Sequence, residues 1–136
     1  AAGAITTALT AALNAKIAKG GPVDLALTRT RDILLELGTD RGSQRTPVLV
    51  GFAAETGDAI QKAQAKRTRK QVDMIVANDV SQPGVGFDVE TNQVALVTAS
   101  GVQELPLLPK REVAAAILDR VEALQLDVRA ALAERR

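Results

Sequence analysis

The sequence predicts an α/β fold: a three-layer, Rossmann-like and mainly parallel sheet, followed by a C-terminal β-hairpin and a long terminal helix. Two observations predict it. The middle of the chain alternates short apolar runs with a helical segment, which is the order of a β–α–β unit. The last third has two strand-like runs joined by a tight turn and then an extended amphipathic segment. We expect residues 1–136 to form a single domain, because this length fits one domain.

Four elements precede the β–α–β unit, and in chain order they are a helix, a strand, a second helix and a polar loop: Ala4–Ala15, Val23–Thr28, Arg31–Leu37 and Thr39–Thr46. Apolar residues at helical spacing mark the first helix, and alternating apolar and polar residues mark the strand. Gly20, Gly21 and Pro22 break the chain between them. We expect Gly38 to end the second helix, because glycine commonly follows the last helical residue.

The β–α–β unit consists of two apolar strands around one helix: Pro47–Ala53, Asp58–Lys70 and Asp73–Ala77. Continuous apolar runs are typical of strands that are buried on both faces. The helix between them predicts that the two strands are adjacent and parallel, with a right-handed crossover connection.

The chain after this unit begins with a glycine-containing loop, Ser81–Phe87. Asn92–Ala99 and Val102–Leu107, joined through Ser100 and Gly101, predict a β-hairpin. The remaining segment, Pro109–Arg136, predicts a long helix. Its buried face is marked by apolar residues three and four positions apart: Val113, Ile117, Val121, Leu124, Val128 and Leu132.

The composition excludes several kinds of function. The net charge of +1 gives no overall field for nucleic acid or a membrane surface, and no apolar run approaches the ~20 residues of a membrane span. The chain has no Cys and no His, so disulfides, thiolate metal sites and histidine general bases are absent. We expect no signal peptide, because Ala1–Ala15 has no basic region, and we expect a cytoplasmic location.

A ladder of lysines on the predicted crossover helix is the first candidate site. Lys62, Lys66 and Lys70 are four residues apart and so share one helix face, where like charges repel. Two interpretations stay open: a basic face in solvent, or a surface that binds phosphate groups. The β–α–β context favours a ligand, because open α/β sheets bind ligands beyond the carboxyl ends of their strands.

Three further segments are candidate sites. Phe52, beside Gly51 and two alanines, either packs on a flat ligand or fills the core. Asn78 and Asp79 follow the next strand and are either turn residues or part of a ligand crevice. The basic, glycine-rich segment Lys16–Gly21 either closes over an anion with its two lysines or is an ordinary loop. The sequence contains no Walker loop and no G-x-G-x-x-G motif.

Four motifs follow one another at close intervals: Gly51-Phe52-Ala53-Ala54-Glu55-Thr56, Lys66-Arg67-Thr68-Arg69-Lys70, Ala77-Asn78-Asp79-Val80 and Lys110-Arg111-Glu112. In this order they resemble the C-terminal part of the bacterial phosphopantothenate–cysteine ligase family. Upstream, Lys16-Ile17-Ala18-Lys19 is similar to the family's lysine flap, and Asp32-Ile33-Leu34 to a segment beside the nucleotide. The resemblance extends over about Lys16 to Val121.

The resemblance implies CTP-dependent amide formation in coenzyme A synthesis. In the family, CTP activates the carboxylate of 4′-phosphopantothenate as an acyl-cytidylate, and the amine of cysteine then displaces CMP. It implies Mg²⁺ as a cofactor and a homodimer, which bacteria usually fuse to a flavin-dependent decarboxylase. The implied site residues are a catalytic flap lysine, Lys16, and the nucleotide-binding residues Arg31, Asp32, Ile33, Leu34, Phe52, Lys66 and Lys70.

The sequence also departs from the family pattern. It has no glycine-rich Ser-Gly-Gly-Thr loop, no acid between Ala1 and Ala15 where the family has a metal-binding Asp, and Ala18 in place of the second flap lysine. Three alternatives follow: a ligase domain or a fragment of one, a non-catalytic nucleotide-binding or dimerisation module, and a purely structural domain. The metal site stays unassigned.

Overall fold

A computed structural model of the chain describes residues 26–80 and 89–134. Several predictions lie wholly or partly outside the described residues: the helix Ala4–Ala15, the flap residue Lys16, the strand Val23–Thr28 and the loop Ser81–Phe87. The chain divides into two compact units, Ala1–Thr30 and Arg31–Arg136. In the first unit, residues 26–30 have no regular structure, so the predicted strand does not include its last three residues.

The second unit contains three α-helices and six strands among its described residues. They are, in chain order, α1 (Ile33–Arg41), β1 (Val50–Glu55), α2 (Ala59–Lys70), β2 (Met74–Asp79), β3 (Thr91–Asn92), β4 (Val94–Thr98), β5 (Gly101–Glu104), β6 (Leu108–Pro109) and α3 (Lys110–Ala133). A 3₁₀ turn, Gly42–Gln44, follows α1. The predicted α/β fold with a hairpin and a long terminal helix is confirmed.

Four of the strands form one sheet, in the order β1-β2-β4-β5. β1 and β2 are parallel, with Phe52 opposite Val76 and Ala54 opposite Asn78, and α2 connects them as predicted. β2 pairs antiparallel with β4, and β4 pairs antiparallel with β5 in the predicted hairpin. Within the described strands the sheet is therefore mixed, where the sequence predicted a mainly parallel one. Because β4 runs antiparallel to β2, it starts at the end of the sheet where β2 finishes. The connection between them therefore needs no second crossover.

The sheet is packed on both faces, which confirms the three-layer arrangement. On one face, Ile75 belongs to a buried cluster with Ala63 of α2 and Leu34 of α1. On the other face, Met74 belongs to a cluster with Val113 of α3. Because neighbouring residues of a strand point to opposite faces, β2 contributes to both cores by alternation.

Helix α1 continues to Arg41 and does not end at Gly38, where the sequence predicted its end. Gly38 is buried, and a Cβ at this position would overlap the carbonyl oxygen of Lys70 at the end of α2. The glycine therefore lets two helices approach closely. The helix ends at Gly42, whose φ of 56° lies in the left-handed region that favours glycine.

The terminal helix α3 packs on the sheet through only part of its predicted apolar stripe. Val113 is buried, and Val121 and Leu124 pack against the same core. Leu132 is 42% exposed, so the predicted burial is wrong there. The reason is length, because a helix of 24 residues spans about 36 Å and a five-residue strand about 17 Å. None of the described helices has the length and apolar character needed to cross a bilayer.

Candidate functional site

The predicted nucleotide-binding residues that the structure describes come from three places: the start of α1 with the two residues before it, strand β1 and helix α2. β1 stands at one edge of the four-stranded sheet. After Glu55 the chain turns through Gly57 and Asp58, with φ values of 61° and 47°, and α2 then starts at Ala59. This turn sends α2 back along β1, so α2 packs against both the strand and α1.

Asp32 and Lys70 form an ion pair between the start of α1 and the end of α2. Lys70 Nζ lies 3.0 Å from Asp32 Oδ1. The same carboxylate oxygen caps α1 by accepting a hydrogen bond of 3.2 Å from the backbone N–H of Leu35. The pKa of Asp32 is held below its usual value, first by the hydrogen bond from Lys70 and second by that from Leu35. Two predicted site residues are therefore in direct contact.

The other two lysines of the ladder also have oxygen partners. Lys66 forms an ion pair with Glu55, at the carboxyl end of β1. Lys62 Nζ donates a hydrogen bond of 2.7 Å to the backbone carbonyl of Thr56. The ladder is thus a row of cations along the side of α2 that faces β1 and α1, and each cation is matched to an oxygen. A phosphate ligand would share or replace these oxygens, since ammonium groups bind phosphate and carboxylate in the same way.

The first turn of α1 places the other predicted contacts. Arg31 pairs with Glu36, with Nε 2.9 Å from Oε1, and this contact raises the pKa of the Arg31 guanidinium. Ile33 is exposed, whereas Leu34 packs inward against β1. A Cβ on Gly51 would come within 2.7 Å of the Leu34 side chain, so the glycine permits α1 to approach the strand closely.

Phe52 lies on the opposite face of β1 from the lysines. Its neighbours Gly51 and Ala53 are buried toward α1 and α2, and alternation along the strand directs Phe52 to the other face. The side chain is 75% exposed, so the alternative that it fills the core is wrong. The structure therefore does not bring Phe52 onto the face of Lys66 and Lys70. A ligand that contacts all three must pass around β1, which is the edge strand of the sheet.

Asn78 is a candidate that sequence reasoning left as a turn residue or a crevice residue. It lies inside β2 rather than after it, opposite Ala54 of β1. Val76 packs on the α3 side, so alternation places Asn78 on the same face as Phe52. The Asn78 Oδ1 atom is buried and accepts no hydrogen bond from the described residues. A buried acceptor without a donor is costly, and a ligand N–H group would satisfy it once the half-buried Asn78 side chain rotated to uncover the atom.

A cleft of about 420 Å³ opens on the α2 side of the sheet, beside the carboxyl end of β2. Its walls carry acidic and amide side chains above an apolar floor: Asp58, Gln61, Gln64, Asp79, Gln93 and Glu104. These acids do not form a metal centre, because no group of three or more acidic side chains in the described residues is placed to hold one ion. A Mg²⁺ ion bound to the described residues would therefore take at most two carboxylates from them, with water and phosphate oxygens as its other ligands.

Residues 6–124 match the family described as DNA/pantothenate metabolism flavoprotein, C-terminal domain. The chain is 45% identical over 105 residues to the coenzyme A biosynthesis bifunctional protein CoaBC of Bacillus subtilis, which covers 76% of this chain and 25% of that protein. It is 40% identical over 111 residues to a cysteine/cysteine sulfinic acid decarboxylase of an unknown prokaryotic organism, which covers 80% of this chain and 30% of that protein.

A solved structure has the same fold. It is the C-terminal domain of the coenzyme A biosynthesis bifunctional protein CoaBC, with a TM-score of 0.60 and 42% sequence identity. The match covers 74% of this chain and 47% of that domain. The chain thus spans about half of the solved domain and 25% and 30% of the two relatives.

Proposed function

Because this chain belongs to the DNA/pantothenate metabolism flavoprotein C-terminal domain family, we propose that it forms the nucleotide-binding part of a phosphopantothenate–cysteine ligase of coenzyme A biosynthesis. The resemblance to the C-terminal part of the bifunctional coenzyme A protein, predicted from the motifs, is confirmed. The ligase activity is part of our proposal, because relatives of similar identity bear different names and one of them is named a decarboxylase.

The observation that carries the proposal is an exposed aromatic ring on the same sheet face as a buried, unpaired acceptor. Phe52 exposes most of its ring, and Asn78 Oδ1 lacks a donor within the described residues. They belong to adjacent strands, and Asn78 lies two residues beyond Val76, the residue that pairs with Phe52. After rotation of the Asn78 side chain uncovers Oδ1, a cytosine stacked on Phe52 would offer it the exocyclic amino group, so that a single planar base would make both contacts.

The lysine ladder supports binding of the triphosphate of CTP. The base would lie on the Phe52 face and the phosphates on the α2 face, with the ribose passing around β1, the edge strand of the sheet. On the α2 face, Lys66 and Lys70 would exchange Glu55 and Asp32 for phosphate oxygens. A polyanion also relieves the repulsion between cations that are four residues apart on a helix.

The proposed reaction uses these cations without a histidine. Lys66 and Lys70 neutralise the phosphates while the carboxylate of 4′-phosphopantothenate attacks the α-phosphate of CTP and pyrophosphate leaves. The amine of cysteine then attacks the acyl carbon and CMP leaves. Mg²⁺ would enter as the CTP complex, bound to the phosphates. The flap role of Lys16, which lies outside the described residues, and the homodimer are parts of the same proposal.

Calorimetric titration with CTP and Mg²⁺ tests the site. The double variant Lys66→Ala, Lys70→Ala should bind CTP at least about tenfold more weakly, because hydrogen bonds to charged groups contribute about 1.5–3 kcal/mol each. The matched control is Arg111→Ala, Arg129→Ala, which removes the same charge from exposed positions of α3. Equal affinity of the lysine variant and this control would place the nucleotide elsewhere.

Turnover distinguishes the ligase from the non-catalytic module. The measurement is release of pyrophosphate from CTP with 4′-phosphopantothenate, and then amide formation when cysteine is added. Binding of CTP without either step would support a nucleotide-binding module. Absence of CTP binding would favour the third alternative, a purely structural domain.

A further inference from the structure

A second basic site lies where α1 and α2 end, on the side of the amino ends of β1 and β2. It is a groove of about 450 Å³. None of the residues assigned to the nucleotide lines it. Its walls carry three arginines together with hydroxyl and amide groups: Arg41, Arg45, Arg67, Ser43, Thr68 and Gln71.

Arg41 is the structural member of this group. Its side chain is 5% exposed and forms an ion pair with Asp73, which is 3% exposed. It also donates hydrogen bonds of 2.9 Å to the carbonyl of Pro47 and 2.7 Å to the carbonyl of Gln71. Arg41 therefore closes the end of the helix pair, and its terminal nitrogens are committed to protein acceptors.

Arg45 and Arg67 are not committed in this way. The Arg45 side chain is 54% exposed, and its nearest acid is the same Asp73, at 3.4 Å from the second carboxylate oxygen. That carboxylate already binds Arg41 and the backbone N–H of Leu49. Arg67 is half-buried, and its side chain has no hydrogen bond or ion pair among the described residues.

The electrostatic balance of the groove favours an anion, though not strongly. Three guanidinium groups face one carboxylate, which leaves an excess of two positive charges. The carboxyl ends of α1 and α2 each contribute about half a negative charge, so about one positive charge remains. Guanidinium groups with a flanking hydroxyl suit the oxygens of a phosphate, which accept hydrogen bonds from several directions.

We propose that this groove is an anion site that binds a phosphate group through the guanidinium groups of Arg45 and Arg67. The ligand class is a small phosphate compound, free or carried on a larger molecule. The groove shares no residue with the nucleotide site, although Lys70 of that site precedes Gln71 of the groove in the chain. Because only about one net charge attracts the ligand, binding should be weak. Because that attraction is electrostatic and exposed to solvent, salt should weaken it further.

Site-resolved NMR of the full chain with inorganic phosphate as the probe tests this proposal. In a buffer of about 20 mM ionic strength, backbone amide signals of Ser43, Thr68 and Gln71 should shift and saturate as phosphate is added. At about 200 mM ionic strength the same midpoint should rise severalfold. No saturable shift at these three amides would overturn the proposal.

Two matched variants assign the shifts to the groove. Arg45→Gln, Arg67→Gln should raise the phosphate midpoint at these amides about tenfold or more, because two charged donors are lost. Lys66→Ala, Lys70→Ala removes the same charge beside the groove but leaves its guanidinium groups in place, so it should raise the midpoint clearly less than the arginine variant does. Shifts that persist in the arginine variant, or that disappear in the lysine variant, would show that the phosphate binds elsewhere. Arg41 is kept in both variants, so the ion pair with Asp73 remains in place.

Discussion

Lys70 Nζ lies 3.0 Å from Asp32 Oδ1, and this contact joins the last residue of α2 to the N-cap of α1. Two residues that the sequence assigned separately to one nucleotide site are therefore ion-paired in the protein itself. Lys66 and Glu55 repeat the arrangement one turn earlier on α2. The acids keep the ammonium groups along one line, where the phosphates of a nucleotide can bind in their place.

The first prediction concerns the acid side of this ion pair. The folded-state pKa of Asp32 is lowered, so its ionised form stabilises the fold above the unfolded pKa of about 3.9 and loses that effect as the pH falls further. Asp32→Asn keeps an N-cap side chain but removes the charge. We expect its urea midpoint to lie below wild type at neutral pH. The difference should disappear once the pH is well below about 4.

Asp119→Asn, which changes an exposed acid of α3, is the control for this series and should follow wild type at all pH values. A difference between Asp32→Asn and wild type that stays constant down to low pH would show that the charge pair contributes nothing.

The second prediction concerns the close contact between α1 and α2. Gly38→Ala would normally stabilise a helix by about 1 kcal/mol, since alanine has the higher helix propensity. Here the added Cβ meets the Lys70 carbonyl oxygen, so we expect a loss of about 1–3 kcal/mol in the free energy of unfolding. Chemical denaturation measures it. Thr39→Ala, at the exposed neighbouring position, should change stability little, and a stabilising Gly38→Ala would contradict the packing seen here.

The third prediction concerns the buried ion pair between Arg41 and Asp73. Asp73 also accepts a hydrogen bond of 2.8 Å from the backbone N–H of Leu49, so it joins α1 to the chain that enters β1. Asp73→Asn would leave the Arg41 charge buried without an anion, which typically costs about 3–5 kcal/mol. Denaturant unfolding should show this loss.

Arg45→Ala removes the exposed partner of the same carboxylate and should cost less than about 1 kcal/mol. If Asp73→Asn lowered the free energy of unfolding by no more than Arg45→Ala, the buried ion pair would contribute little to stability.

The sequence predicted the parts of the fold that depend on local pattern. The β–α–β unit followed from two apolar runs around a helix, and the hairpin followed from strand-like runs around Ser100 and Gly101. Gly38 was misassigned, because glycine at a helix end and glycine at a helix contact look the same in a sequence. Leu132 was misassigned because periodicity shows which side of α3 is apolar, and does not show where the sheet stops.

The candidate site was predicted less completely, for reasons of geometry. Spacing placed Lys66 and Lys70 on one helix face, but the acids that hold them come from other elements, and pairing across elements leaves no local pattern. Phe52 faces away from those lysines because alternation along β1 decides its side. Asn78 was left undecided because a strand end predicts a turn, and only the structure shows the amide oxygen to be buried without a partner among the described residues.

The last prediction is that Asn78 sets the choice of base. Its Oδ1 atom is an acceptor, and cytosine presents an amino donor where uracil presents a carbonyl oxygen, so UTP would leave two acceptors facing each other. A buried acceptor left unpaired costs about 1–3 kcal/mol, so CTP should bind at least about fivefold more tightly than UTP. Asn78→Ala should weaken binding of CTP more than binding of UTP and bring the two affinities together.

Lys66→Ala should weaken binding of both nucleotides by the same factor, since Lys66 contacts only phosphate in the proposed complex. Calorimetric titration of wild type and of the two variants with both nucleotides gives three CTP-to-UTP affinity ratios. Equal binding of CTP and UTP by wild type, or an unchanged ratio in Asn78→Ala, would remove Asn78 from base recognition while leaving the lysine site intact.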